Sequence, residues 1–440
     1  MSVKSQAKCR SKDEWLSYLE STHPADIEMG LGRVTKVALA LDLFKPAPIT
    51  IVIGGTNGKG TTTALLAQLL AEKGLSSACY NSPHIHQYNE RINRREVNGQ
   101  ARLSTDEELC IAFSAIEEGR GDIPLTYFEF GTLAALWQIK QWQVDVALLE
   151  VGLGGRLDAV NIVDTDLAIV TSVGLDHQDW LGDTLDLIGY EKAGIGRKNK
   201  PLICGQPNVA KGFLDHAEKI GVKLTRIDQD YNIQAAASGW VLKLASQGLA
   251  TQTLLLPKGH IPFYNIASAI AGLAAINLLP DLAGIERAVE KTRVAGRLTH
   301  YACDYQGKGI NFILDVAHNP QAAEFLASQL THCCHGILAL LLDKDPLGIV
   351  TALPAIKHWH LAGLSGYRGQ SAEQLNDRLS PTLAGYVASK HVDVRQAIDH
   401  CLTDVCDGES ILVMGSFLTV AAAEQVLRNH PHIRLLNHGR

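Results

Sequence analysis

No run of about 18 apolar residues occurs in this sequence, so no membrane-spanning helix is expected. The opening stretch, Met1 to Trp15, lacks the apolar segment of a secretory signal. Positive charge is not in excess. Lys and Arg number 40 against 46 Asp and Glu, a formal net charge of -6, which gives no support to a nucleic-acid partner. The nine cysteines are odd in number and form no C-x-x-C pair, so neither a zinc site nor a disulfide framework is suggested. Cys79 and Cys204 lie in apolar runs and read as small core residues. A cytoplasmic, reducing location is the expectation. Internal repeats, low-complexity tracts and Pro/Gly/Ser-rich linkers are also lacking.

What remains is an ordinary globular composition, 46% hydrophobic and 20% charged over 440 residues. At roughly 100–200 residues per domain this length predicts two or three domains, with a core large enough to fold without staples. Short apolar runs alternate with amphipathic stretches, which predicts an α/β fold with a mainly parallel sheet. Expected strands are Thr50–Ile53, Ser77–Tyr80, Val144–Leu149, Leu167–Val173 and Pro201–Cys204. Expected helices include Trp15–Glu20, ended by a turn at His23-Pro24, then Thr62–Lys73, Thr132–Gln141 and Ala267–Asn277. A second α/β series follows Arg297. Its expected strands are Phe312–Leu314, Gly336–Leu342, His358–Ala362 and Ser410–Met414, and its helices Ala322–Leu330, Val394–Leu402 and Thr419–Leu427. The domain boundary is therefore expected between residues 297 and 298.

The strongest local signal is Ile51-Val52-Ile53-Gly54-Gly55-Thr56-Asn57-Gly58-Lys59-Gly60-Thr61. An apolar strand ends in glycines and a helix opens at once. Glycines let backbone N–H groups point at phosphate oxygens, and the helix N-terminus adds partial positive charge. Lys59 supplies a point charge for the terminal phosphates, and a nearby hydroxyl can reach Mg²⁺. The strict G-x-x-x-x-G-K-[ST] pattern is not met. Ile53 stands at the first glycine position, and Gly60 follows the lysine, moving the hydroxyl to Thr61. A plain glycine turn is the bland alternative; the strand–loop–helix order favours phosphate binding.

Gly55 to Thr61 resembles the nucleotide loop of the Mur ligase superfamily. Further strings resemble its folate branch, the dihydrofolate synthase/folylpolyglutamate synthase family. These are Ser82-Pro83-His84 with Glu90-Arg91-Ile92, Thr126-Tyr127-Phe128-Glu129-Phe130, Glu150 to Ala159, and Asp315-Val316-Ala317-His318-Asn319-Pro320. The family usually has glycine where Val316 stands. Glu28-Met29-Gly30-Leu31-Gly32-Arg33-Val34 is similar to the pteroate loop of bifunctional members, which often have an acidic residue at the Gly32 position.

The resemblance implies a P-loop-type ATPase domain followed by a smaller Rossmann-like α/β domain. It implies ATP contacts from Asn57, Gly58, Lys59, Gly60, Thr61, Asn265, Arg297 and Asp315. Pterin or folate contacts are implied for Glu28, Met29, Gly30, Leu31, Thr126, Tyr127, Phe128, Glu129, Leu157, Asp158 and Ala159. Glu150 ends an apolar strand, where α/β sheets place ligands, and its hard oxygens suit Mg²⁺. The resemblance adds Thr61 and Ser82 as metal ligands and His177 at a second Mg²⁺, although imidazole is not a usual Mg²⁺ ligand. K⁺ is a further candidate ion. Lys192 stands where the family carries N6-carboxylysine. That modification needs the neutral amine, which burial favours. Lys59, Lys192 and His318 are the implied catalytic residues. Asp343-Lys344-Asp345 also looks like a family signature, of no role assignable from its chemistry. In bland terms Asn265 is a helix cap, Arg297 a surface cation, and Glu150 and Asp315 strand-end acids.

The expected enzyme is an ADP-forming amide ligase. It joins L-glutamate to 7,8-dihydropteroate and to reduced folates through an acyl phosphate, and acts as a monomer without nucleic-acid or membrane partners. A monofunctional folylpolyglutamate synthase and a Mur-type cell-wall ligase are the alternatives within the chemistry. The latter would usually carry an additional N-terminal domain, for which the about 45 residues before the first expected strand are too few. A non-catalytic nucleotide switch is the alternative outside it.

Overall fold

The computed structural model describes residues 10–22, 28–246, 249–330, 333–366, 368–379 and 387–436, and every structural count below refers to those residues. The expected turn at His23-Pro24 lies outside them. The described chain forms two compact units. One runs up to Val173 and resumes over Gln178–Thr292; the other comprises Gly174–His177 and the residues from Arg293 onward.

The first unit holds an eight-stranded sheet. Its strands are β1 (Ile49–Gly54), β2 (Ser77–Tyr80), β3 (Ile92–Arg95), β4 (Ala101–Leu103), β5 (Val146–Glu150), β6 (Leu167–Val170), β7 (Pro201–Cys204) and β8 (Lys223–Arg226). Their order is β4-β3-β2-β5-β1-β6-β7-β8. Strands β2 to β8 through β5, β1, β6 and β7 run parallel, while β3 and β4 join antiparallel at one edge. The central strands read as nearly unbroken apolar runs because both faces are covered: Ile51, Val52 and Ile53 are all fully buried. One face packs with the helix Tyr127–Trp142 through Phe130, Leu133 and Ala134, the other with Lys59–Glu72 and Phe263–Ala275 through Leu65, Leu66, Leu69 and Ile270. A three-stranded antiparallel sheet, β9 (Tyr231–Ala236), β10 (Gly239–Ser246) and β11 (Leu249–Pro257), was not anticipated. It joins the second of these cores through Tyr231, Ile233, Leu242 and Leu254.

The second unit holds a seven-stranded sheet: β12 (Thr299–Tyr305), β13 (Lys308–Asp315), β14 (Cys333–Leu338), β15 (His358–Ala362), β16 (Val387–His391), β17 (Ser410–Met414) and β18 (Ile433–Leu435). The order is β16-β15-β14-β17-β13-β12-β18. Strands β13 to β17 pair in parallel, and β12 joins antiparallel to both β13 and β18.

Several expected boundaries shift, and the shifts fall where chemistry is expected. The helix after β1 begins at Lys59 rather than Thr62, so the lysine occupies its first turn. The helix expected from Thr132 begins at Tyr127. Thr126 caps it, with Oγ1 accepting from the Glu129 N–H and the Glu129 carboxylate accepting from the Thr126 N–H. Strand β6 ends at Val170, three residues early, because Thr171 and Ser172 leave the ladder to hold the neighbouring loop.

Candidate functional site

Parallel sheets gather their loops at the C-terminal strand ends. Here the ends of β1, β2, β5 and β6 stand level, with Ile53 opposite Glu150, Tyr80 opposite Leu149, and Gly54 opposite Val170. The loop after β1 is fixed by its neighbour. Thr171 Oγ1 donates to Asn57 O at 2.6 Å, Ser172 Oγ accepts from Asn57 N at 2.9 Å, and Thr56 N donates to Ser172 O at 2.9 Å. Two glycines are required by this geometry. Gly55 has φ +143°, and a Cβ there would stand 2.0 Å from Thr171 Oγ1. Gly58 has φ +84°, and a Cβ would stand 2.6 Å from Asn265 Nδ2. Lys59 Nζ donates to Gly55 O at 3.0 Å, curled over the loop it would serve.

Asn265 lies in the first turn of the helix Phe263–Ala275. It is buried, and its amide donates to Thr61 Oγ1 at 2.7 Å and to Gly58 O at 3.4 Å. It is not the helix cap; Pro262 holds that position. Asn265 therefore sits on the phosphate loop itself.

The oxygen ligands expected in this unit converge. Glu150, buried at the end of β5, accepts from the Ser82 N–H at Oε2 over 3.4 Å. A Cβ on Gly60 would lie 3.7 Å from the same oxygen, next to Thr61. A carboxylate and two hydroxyl-bearing residues against a phosphate loop make a hard-oxygen set that fits Mg²⁺. The loop bearing Ser82 is shaped by Glu90, whose carboxylate accepts the N–H groups of Ile85, His86 and Gln87. Arg91 Nε donates to His84 Nδ1 at 2.9 Å, and its guanidinium lies over the rings of Tyr88 and Tyr127. Burial, aided by Arg91, lowers His84 to about 4, so the ring is neutral and accepts that bond.

The segments expected to meet the pterin also meet each other. A Cβ on Gly152 would strike the Phe128 ring at 2.5 Å, and one on Gly154 would reach Met29 Cε at 3.5 Å. Arg33, which sequence reasoning did not single out, joins two of the segments. It bonds both Glu129 oxygens, at 3.3 and 3.0 Å, and pairs with Glu28. Asp158 caps a short 3-10 turn, Ala159–Ile162, and accepts from the N–H groups of Val160 and Leu153 at 2.9 Å each. Burial raises it to about 6, against the pull of those N–H groups and of Lys59. Lys192, on the helix Leu185–Ala193, is only 3% exposed. Its neighbour Glu191 grips Arg156 at 3.1 and 2.8 Å, and Arg156 N donates to Glu191 O. That ties the helix carrying Lys192 to the loop after β5.

In the second unit, Asp315 ends β13 buried and accepts from the N–H groups of Leu298 and Ala317 at 2.9 and 2.8 Å. Arg297 Nη1 lies 3.8 Å from its Oδ1. Burial raises Asp315 above the usual carboxylate range, opposed by Arg297 and those N–H groups. Asn319 caps the helix Pro320–Gln329 with proline at its first turn, which explains the Asn-Pro pair. Asp176 is the centre of a charged group. Lys344 Nζ donates to its Oδ1 at 2.7 Å, Asn319 Nδ2 to its Oδ2 at 3.2 Å, and His318 Nε2 lies at 3.5 Å. Burial opposes ionisation of Asp176, but His318, His177 and Lys344 outweigh it and hold the carboxyl far below its ordinary value. His177, beside it, adopts φ +51°, a left-handed conformation uncommon outside glycine. The Asp343-Lys344-Asp345 string thus has an internal division. Lys344 pairs with Asp176, Asp343 with Arg368, and Asp345 caps the helix Pro346–Thr351.

Comparison with known proteins places the family. A Mur ligase middle domain matches residues 53–276, and a Mur ligase glutamate ligase domain matches residues 296–417. The chain is 40% identical to the dihydrofolate synthase/folylpolyglutamate synthase of Escherichia coli over 420 residues, 94% of each chain. The Haemophilus influenzae protein of the same name is 39% identical over 430 residues, covering 93% of this chain and 95% of that one. The chain belongs to the dihydrofolate synthase/folylpolyglutamate synthase family. Solved members of that family share its backbone. Escherichia coli FolC in complex with DHPP and ADP matches with a TM-score of 0.85 at 40% identity, over 95% of this chain and 98% of that one. A Yersinia pestis family member complexed with AMPPNP and Mn ion matches with a TM-score of 0.85 at 39% identity, with the same coverage.

Proposed function

We propose that this protein is an ATP-dependent, ADP-forming ligase that adds L-glutamate to 7,8-dihydropteroate and to reduced folates. The observation that supports this reading is a phosphate loop held by Thr171 and Ser172, with Glu150 beside Ser82, in the same unit as the segments expected to meet the acceptor. Membership of a bifunctional family supports both acceptors, and the cited family structures hold ADP, DHPP, AMPPNP and Mn.

An amide cannot form from a carboxylate and an amine in water unless the carboxylate is activated. ATP supplies activation by phosphorylating it to an acyl phosphate, after which the glutamate amine displaces phosphate. The backbone N–H groups of Asn57 to Thr61 and the Lys59 ammonium hold the β- and γ-phosphates as charge moves. Glu150, Thr61 and Ser82 would hold Mg²⁺, which would supply neutralisation of phosphate charge. Thr126 to Glu129, Glu28 to Leu31 and Leu157 to Ala159 line the acceptor, with Asp158 accepting from pterin N–H groups. Arg297 and Asp315 contact ATP, and His318 acts near the phosphates. His177 would hold a second Mg²⁺, and a carboxylated Lys192 would present an anionic oxygen in place of a buried cation. No serine or cysteine nucleophile is needed. The protein works as a cytoplasmic monomer; no helix among the described residues is long and apolar enough to cross a membrane.

The test is glutamate-dependent ADP release from ATP with dihydropteroate and with a reduced folate as separate acceptors. Release with both supports the bifunctional reading. Release with the folate alone reduces it to a monofunctional synthase, and dependence on a UDP-muramoyl acceptor overturns it.

A further inference from the structure

Five of the chain's seventeen histidines, none of them assigned a role above, crowd one side of the second unit's sheet. His335 lies on β14, His358 and His360 on β15, His391 at the end of β16, and His400 on the helix Val394–Asp404. Strand alternation explains the grouping. On β15, Trp359 and Leu361 enter one apolar core, while His358 and His360 take the other face. In the parallel register His335 stands opposite His358, His360 opposite Ser389, and Ala362 opposite His391. The ring of His335 stacks against those of His358 and His360 with centroids 4.9 and 5.5 Å apart, and His400 lies 5.6 Å from His360 and 5.0 Å from His391.

One ring nitrogen from each of His360, His391 and His400 falls within 4.8 Å of the other two. Three imidazole nitrogens bound to one ion at about 2.0–2.1 Å would stand about 3.3 Å apart, so small side-chain rotations close the set. The tautomers suit it. His360 Nε2 lies 3.2 Å from His335 Nδ1, and His335 Nε2 is 3.9 Å from Glu409 Oε2. With protons on both Nε2 atoms, His360 donates to His335 Nδ1, His335 presents its N–H on the side of Glu409, and the His360 Nδ1 lone pair is left to accept. That lone pair faces Ser389 Oγ at 2.7 Å, and the same hydroxyl meets His391 Nε2 at 2.6 Å. His400 Nε2 is already held by Asp404 at 3.2 Å, which leaves Nδ1 for a ligand. A metal-binding histidine whose other nitrogen is fixed by a second group is the usual arrangement around zinc.

We propose that His360, His391 and His400 form a binding site for a divalent transition ion of the Zn²⁺ class. Ser389 or water completes the coordination, and His335, Glu409 and Asp404 orient the ligands. Imidazole selects such ions over Mg²⁺, so this site is chemically separate from the oxygen set at Glu150. An ion here would tie the edge strand β16 to β15 and to the helix Val394–Asp404.

The experiment titrates the full chain, stripped with chelator and kept in excess Mg²⁺ without nucleotide, with Co²⁺ and then Zn²⁺. The expected result is one equivalent of Co²⁺ giving the intense visible bands of tetrahedral nitrogen coordination, displaced by one equivalent of Zn²⁺. The paired variant His391→Ala/His400→Ala should lose the bands while keeping its far-UV spectrum and glutamate-dependent ADP release. Glu409→Gln should weaken Zn²⁺ about tenfold or more, as loss of an orienting group does. A wild-type chain without the bands overturns the proposal whatever the variants do. So does a paired variant that binds as tightly as wild type. Either outcome leaves the histidines as a hydrogen-bonded packing layer.

Discussion

The Asn265 carboxamide donates to Thr61 Oγ1 at 2.7 Å, joining residues 204 positions apart. That bond makes the first turn of the helix Phe263–Ala275 a wall of the phosphate loop. Replacing Asn265 with Ala removes the donor from the buried Thr61 Oγ1, while Gly58 O keeps the Thr62 N–H and the Thr61 hydroxyl. The cost of an unsatisfied buried group is about 1–3 kcal/mol. Asn265→Ala should therefore lower kcat/KM for ATP about tenfold or more, with the far-UV spectrum unchanged. Steady-state kinetics with ATP as the varied substrate measure this.

Gly58 tests the same contact from the other side. Its φ of +84° is costly for any L side chain, and an alanine methyl would enter the space of the Asn265 amide. Gly58→Ala should reduce nucleotide affinity by tenfold or more, since strain of about 1–3 kcal/mol must be absorbed by the loop. Pairing it with Asn265→Ala should restore part of the affinity by removing the collision. Isothermal titration with ADP and Mg²⁺ reads both.

Asp158 gives the pH dependence. Its folded value, about 6, is above the ordinary 3.8, because burial disfavours the carboxylate. Between pH 4 and pH 6 the folded protein holds a proton that the unfolded chain has released. Stability contributed here therefore falls as pH rises through that window and is level above it. Binding runs the opposite way. An acceptor whose pterin N–H groups meet the carboxylate should bind more tightly as pH rises to about 6, then level off. Asp158→Asn should abolish that rise and weaken the acceptor at neutral pH. Fluorescence titration across pH 4.5–8 measures it.

Lys344 and Asp176 form a buried ion pair within the second unit, with side chains 5% and 9% exposed. Removing one partner of such a pair costs about 3–5 kcal/mol. Lys344→Met should lower unfolding stability by an amount of that order. Asp176 titrates below its unfolded value, so its contribution is present above about pH 4 and lost as pH falls. The folded carboxyl stays ionised well below pH 4, so the variant should lose stability at neutral pH and still be less stable than wild type at pH 3.5. Urea unfolding at pH 7 and pH 3.5 measures both.

Much of the first unit was readable because its signals are local. An apolar run ending in Gly54-Gly55 and a carboxylate closing β5 each report on their own neighbourhood. The Thr126-x-x-Glu129 capping box was equally present in the sequence and marks the helix start that hydrophobic periodicity alone put five residues late. The residues missed are those defined by distant partners. Thr171 and Ser172 read as the end of a strand, and only the register of β6 beside β1 gives them the loop to hold. Arg33 has meaning through Glu129, and Lys344 through Asp176, 168 positions earlier. Strands β9 to β11 were missed for another reason. Residues such as Gln234, Lys243 and Gln252 break the apolar pattern because one face of that sheet meets solvent.

The account stands on activation of the acceptor carboxylate by ATP. Its most direct test is the reaction of dihydropteroate labelled with ¹⁸O in the carboxylate, with ATP, Mg²⁺ and L-glutamate. The expected result is a product heavier by one glutamyl residue, one ADP per product, and one ¹⁸O delivered to inorganic phosphate. A glutamyl product whose phosphate carries no label, or ADP release that ignores glutamate, would contradict it.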